Sequence, residues 1–170
     1  MPSNGKSRDR RLEGKESKLL LKHLSGEAKA VFEFAIETAM RRGEILSLEW
    51  RNIDLKNLTA TLKDTKNGEV RAVPLSTTAI RILKEHPGGN GAKRVFSITQ
   101  SKLRKDWESA RTAAGVPDIR LHDLRHEAAS RLFEKGLNVM EAASVTGHKT
   151  LSLLKRYTHL NPTDIAKKLG

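Results

Sequence analysis

Four short stretches gather the side chains of this chain best suited to chemistry, and they are spread along most of its length. Thr38-Ala39-Met40-Arg41-Arg42-Gly43-Glu44 ends an apolar helical pattern with adjacent arginines and a glutamate three residues after the first. Leu121-His122-Asp123-Leu124-Arg125-His126 sets His122 and Arg125 three apart on one helical face, beside a core face of Leu121, Leu124, Ala128 and Leu132. Thr146-Gly147-His148-Lys149 follows a further helical pattern, and Lys155-Arg156-Tyr157-Thr158-His159 holds the single tyrosine. Such side chains bind anions through guanidinium forks, exchange protons through imidazole and attack electrophiles through a deprotonated phenol. Taken singly, each stretch also reads as a solvated charged patch.

The whole-chain balance narrows the choice of partner. The 170 residues carry 32 Lys and Arg against 20 Asp and Glu, a formal charge of +12. That field favours polyanions, nucleic acid before acidic membrane. Seven aromatics (two Trp, one Tyr, four Phe) are too few for platforms that stack single strands, so duplex DNA is the expected partner. Zero cysteines exclude disulfide frameworks, thiolate metal sites and a thiol nucleophile. No apolar run nears the ~18 residues of a membrane span and the N-terminus has no apolar leader, so a soluble cytoplasmic chain with no membrane association is expected.

Three further motifs carry little. Gly88–Lys93 lacks the ending of a phosphate loop and follows no strand, so it reads as an ordinary loop. His122 and His126 have a zinc-ligand spacing, but Asp123 stands where a metalloprotease has glutamate and Arg125 would sit beside the metal. Asn57-Leu58-Thr59 matches a glycosylation acceptor that an intracellular chain would not use.

Periodicity predicts the elements that must position these groups. Residues 1–11 read as a flexible basic arm, with a short helix around Leu19–Leu21. A helix from about Glu27 carries Ala28, Val31, Phe32, Ala35, Ile36 and Ala39 inward and ends near Arg41–Arg42 at Gly43, before a short helix over Glu44–Trp50. Leu58–Leu62 and Val70–Val73 read as a hairpin joined at Lys66-Asn67-Gly68. Helices are expected over Thr77–Glu85, Thr99–Ala114, Leu121–Glu134, Val139–Val145, Thr150–Arg156 and Thr163–Leu169, with a loop at residues 87–91. The fold class is α+β: mostly α-helical, with a small antiparallel sheet in the N-terminal third.

In this order the four stretches resemble the catalytic domain of the tyrosine recombinases, the phage-integrase family. Its signature is T-G-[LM]-R-x-x-E, a lysine on a β-hairpin turn, H-x-x-R, G-H, and a tyrosine about nine residues on. The resemblance runs from about Leu12 to Leu169. It places the catalytic set on Arg41, Lys66, His122, Arg125, His148 and Tyr157, with Glu44 as a buttress for Arg41. Departures are Ala39, where glycine is usual, Thr146, where leucine is common before Gly-His, and Glu127, where a small hydroxyl residue is frequent.

The resemblance implies a site-specific DNA recombinase or integrase catalytic domain. Its tyrosine attacks a DNA phosphodiester, leaving a 3′-phosphotyrosine and a free 5′-hydroxyl. Arg41, Arg125 and His148 would stabilise the added negative charge of the transition state. His122 would share the phenol proton, and Lys66 would protonate the leaving oxygen. The linkage conserves the bond energy of the cut strand, so no metal, ATP or other cofactor is implied. The rivals are type IB topoisomerase-like relaxation and a DNA-binding relative without turnover. The resemblance further implies one catalytic domain over residues 1–170 without the N-terminal core-binding domain. It also implies a homotetramer on DNA for the full-length protein, a monomer for this fragment, and a tail at 161–170 that docks in cis or in trans.

Overall fold

The computed structural model describes residues 10–63, 69–86, 93–158 and 161–170. Lys66 and its Asn67-Gly68 turn, the loop at 87–91 and His159 lie outside these residues. The first helix, α1 (Gly14–His23), starts where the Glu16 carboxylate accepts the N–H of Glu13. Arg10 pairs with Glu16 and with Asp118, tying the start of the chain to the far side of the domain.

α2 (Gly26–Thr38) is the central beam, burying Ala28, Val31, Phe32, Phe34, Ala35 and Ile36. Phe32 stacks on Trp107 at 5.9 Å and Phe34 meets Phe96 edge-on at 5.5 Å. α2 stops three residues short of the expected Arg41–Arg42. Ala39 takes a left-handed conformation (φ 53°), which breaks the hydrogen-bond ladder, while Gly43 sits inside the next helix. That helix, α3 (Arg42–Ser47), begins at Arg41 and is followed by a 3-10 turn at Trp50–Asn52.

The sheet has three antiparallel strands in the order β1 (Ile53–Asp54), β2 (Thr59–Lys63) and β3 (Val70–Pro74). Leu62 pairs with Arg71 and Lys63 with Val70, while Ala60, Leu62 and Val73 point into the core. β1 is two residues long, too short to show any alternation in the sequence. α4 (Thr77–Glu85) is capped by Ser76, whose hydroxyl donates to Glu37 while accepting from the N–H of Ala79. α5 (Gln100–Ala113) turns Leu103, Trp107 and Ala110 inward.

α6 (Asp123–Glu134) packs on α2, and α7 (Val139–Thr146) packs on α6 and β3. α7 ends at Gly147, whose φ of +71° is one that glycine adopts without strain. The helix expected over Thr150–Arg156 is instead two 3-10 turns, Leu151–Leu153 and Lys155–Tyr157. Of residues 151–158 only Leu154 is buried, so the segment has no apolar stripe to hold a full α-helix against the domain. α8 (Pro162–Leu169) buries no residue and leaves Ile165 and Leu169 exposed. Among the described residues, no helix is long and apolar enough to cross a membrane.

Candidate active site

The two expected arginines reach the site in different ways. Arg41 stands at the start of α3 and its side chain is half-exposed. Its N–H donates to Glu44 Oε2 at 2.7 Å, and its guanidinium reaches Glu44 Oε1 at 3.1 Å. The same carboxylate accepts two parallel bonds from Arg71 on β3, Nη1 to Oε1 at 2.8 Å and Nη2 to Oε2 at 3.1 Å. Burial alone would raise the Glu44 pKa, but the bonds from Arg71 and Arg41 overcome it and hold it below the usual carboxylate range. Glu44 is thus a fixed anionic post between two guanidinium groups.

Arg125, in the first turn of α6, is 6% exposed. Nη1 donates to the Ala39 carbonyl and Nη2 to the Thr146 carbonyl, each at 2.5 Å. The C-terminal ends of α2 and α7 therefore meet on one side chain. Burial, then repulsion from Arg41, pushes its pKa down to about 10, so it stays charged at neutral pH. Arg41, His122 and Arg125 line a cavity of about 310 Å³ with Met40, Arg42 and Leu121.

His122 sits at the start of α6, half-buried, and its pKa is lowered by burial and then by Arg125. His148, on the loop after α7, places Nδ1 2.7 Å from Thr146 Oγ1. Burial, Arg125 and Arg41 push His148 down to about 4, so both rings are uncharged at neutral pH.

The tyrosine packs along the same helix. Tyr157 lines a cavity of about 750 Å³ with His126, Ser130, Phe133 and Arg156. Its ring stacks on Phe133 at 6.2 Å, with the Arg156 guanidinium 5.8 Å from the ring centre. The phenol hydroxyl is hydrogen-bonded to Nδ1 of His126. The His122 and His126 rings meet edge to face at 5.0 Å, so a line of imidazoles joins the phenol to the start of α6.

The structure thus gathers Arg41, Glu44, His122, Arg125 and His148 around the α6 start, with Tyr157 one helical turn away. The sequence reading missed His126, Arg71 and the part played by Thr146. His126 was visible only as half of a metal-like spacing, and Arg71 as one more basic residue on a strand.

The phage integrase family model matches residues 10–164. A shufflon-specific DNA recombinase of Escherichia coli is 44% identical over 172 residues, covering 99% of this chain and 44% of that protein. The integrase of Salmonella phage P22 is 32% identical over 186 residues, covering 98% of this chain and 48% of that one. The chain spans under half the length of either relative. Among solved structures, the catalytic domain of bacteriophage HP1 integrase superposes with a TM-score of 0.75 at 22% identity, over 94% of this chain and 92% of that one. A lambda integrase dimer bound to a COC′ core site gives 0.74 at 20% identity, over 92% and 50%. These two likenesses show the fold; the family match and the sequence relatives show descent, and the chain belongs to the phage integrase family.

Proposed function

We propose that this chain is the catalytic domain of a site-specific DNA recombinase that cuts and rejoins duplex DNA through a 3′-phosphotyrosine. The carrying observation is the placement of Arg41, Arg125 and His148 around the start of α6, with the Tyr157 phenol one helical turn away. The Tyr157 phenol passes its proton to the imidazoles of His126 and His122 beside it, and the phenolate oxygen bonds to phosphorus as the bond from phosphorus to the 5′-oxygen breaks. Arg41 and Arg125 offer preorganised donors to the non-bridging oxygens, where charge accumulates in the transition state. Lys66 supplies the proton that turns the leaving alkoxide into a 5′-hydroxyl. Glu44 positions Arg41. Rejoining runs the same steps in reverse, so the bond energy stays in the linkage.

The +12 charge supports duplex DNA as the partner. The unburied α8, with Ile165 and Leu169 exposed, supports docking of residues 161–170 on a second copy within a tetramer on DNA. The test is incubation with a pool of nicked duplexes of randomised sequence in EDTA, followed by SDS. An SDS-resistant adduct that Tyr157→Phe abolishes supports the reading, and its absence from the unaltered chain overturns it. Strand exchange between two captured duplexes supports recombination; relaxation of supercoils without exchange would replace it with a topoisomerase-like activity.

A further inference from the structure

Thr146 is completely buried, so its hydroxyl must find its partners within the protein. Oγ1 donates to the Ala142 carbonyl at 2.8 Å, one helical turn back, and lies 2.7 Å from His148 Nδ1. A hydroxyl has one proton and two lone pairs, and a carbonyl oxygen only accepts. The single proton of Thr146 is therefore committed to Ala142, and a lone pair faces the imidazole. Nδ1 must then carry a proton and donate it.

We infer that Thr146 fixes His148 as the Nδ1–H tautomer, so that the uncharged ring presents a lone pair at Nε2 and takes up a proton before donating to a phosphodiester oxygen.

The surroundings hold this arrangement in place. The Thr146 carbonyl accepts from buried Arg125, and the Arg71 guanidinium lies so close over Gly147 that a Cβ there would sit 2.8 Å from it. Among the described residues, the charged and titratable groups that act most strongly on the ring are Arg125 and His126 from α6, Arg41 before α3 and Arg156 from the segment before Tyr157. Arg71 on β3 presses on Gly147, and the neighbouring Lys149 pairs with Glu69. This mainly cationic ring keeps His148 uncharged when no anion is near. A phosphodiester brings the opposite charge and draws a proton from solvent onto Nε2. Thr146 acts here as a positioning residue.

The tautomer is read directly from imidazole nitrogen shifts in the histidine-labelled chain, without DNA. At neutral pH, Nδ1 of His148 is expected to give a protonated-nitrogen signal and Nε2 an unprotonated one. Thr146→Val should admit the opposite tautomer, and Thr146→Ser should restore the original. An Nε2–H ring in the unaltered chain, or no change in Thr146→Val, overturns the assignment. The proton uptake rests on the proposed function, and calorimetry of duplex binding in two buffers of different ionisation heat measures it. About one proton taken up by the unaltered chain and fewer by Thr146→Val is expected; binding with no uptake overturns that half. If no duplex binds at all, the proposed function fails, and the spectra alone still decide the tautomer.

Discussion

The Tyr157 hydroxyl is hydrogen-bonded to Nδ1 of His126, four residues further along the chain than the His122 that the family pattern singles out. That bond fixes the direction of the phenol oxygen and gives its proton an acceptor within reach when the oxygen attacks. His126→Ala should slow formation of the SDS-resistant adduct about 100-fold, within the range for a lost proton acceptor. His122→Ala, one ring further from the phenol, should slow it less. An equal or larger loss in His122→Ala would return the proton to His122.

Glu44 is held by two arginines, and only Arg41 of the two was expected. Without Arg71 the carboxylate keeps a single half-exposed partner, the kind of pair that fixes geometry poorly. Arg71→Ala should slow adduct formation about 10- to 100-fold through misplacement of Arg41, with a smaller effect on duplex affinity. Arg71→Lys should fall between, because it keeps the charge and loses the fork. Carbon-detected titration of Glu44 should show its pKa rising in Arg71→Ala. An unmoved carboxylate would mean that Arg41 alone sets it.

Arg125 is structural as well as catalytic in this reading. Removing it strands the buried carbonyls of Ala39 and Thr146, each of which loses a charge-assisted bond. Arg125→Ala should cost about 2–4 kcal/mol in urea unfolding, seen as a lower midpoint at unchanged slope. A cost below about 0.5 kcal/mol, the range of surface substitutions, would show that the two helix ends are held by other contacts.

Acid should weaken the fold in two separable steps. His148 and His122 have lowered pKa values, so the unfolded chain binds their protons more readily than the folded one. Stability is therefore intact above the ordinary histidine value of 6.5 and declines as pH falls toward about 4. Glu44 is also lowered, and its contribution is lost below the ordinary carboxylate value of 4.5. Thermal unfolding across this range should show the first decline reduced in His148→Gln and the second reduced in Glu44→Gln. A His148→Gln profile that matches the original would remove His148 from the first step.

The parts of the fold that the sequence revealed were those with a repeating apolar pattern. α2, α5 and α6 each bury a face at helical spacing. What escaped had no period to read. The two residues of β1 and the 3-10 turns before Tyr157 are too short to display one. The end of α2 depends on Ala39 adopting a backbone conformation unusual for its type, with its carbonyl against an arginine 86 positions away. Within the site, Arg41, His122, Arg125, His148 and Tyr157 could be named from motif order alone. Arg71 and His126 could not, because their parts depend on which atoms face one another across β3 and α6.

Of residues 151–158 only Leu154 is buried, and the leucines at 151 and 153 are exposed. The phenol itself is held through the His126 bond and the Phe133 stack, both on α6. The nucleophile therefore takes its aim from α6, the helix that also carries Arg125, rather than from its own short 3-10 segment. One helix thus serves as a common jig for the attacking oxygen and for a guanidinium that would meet the developing charge.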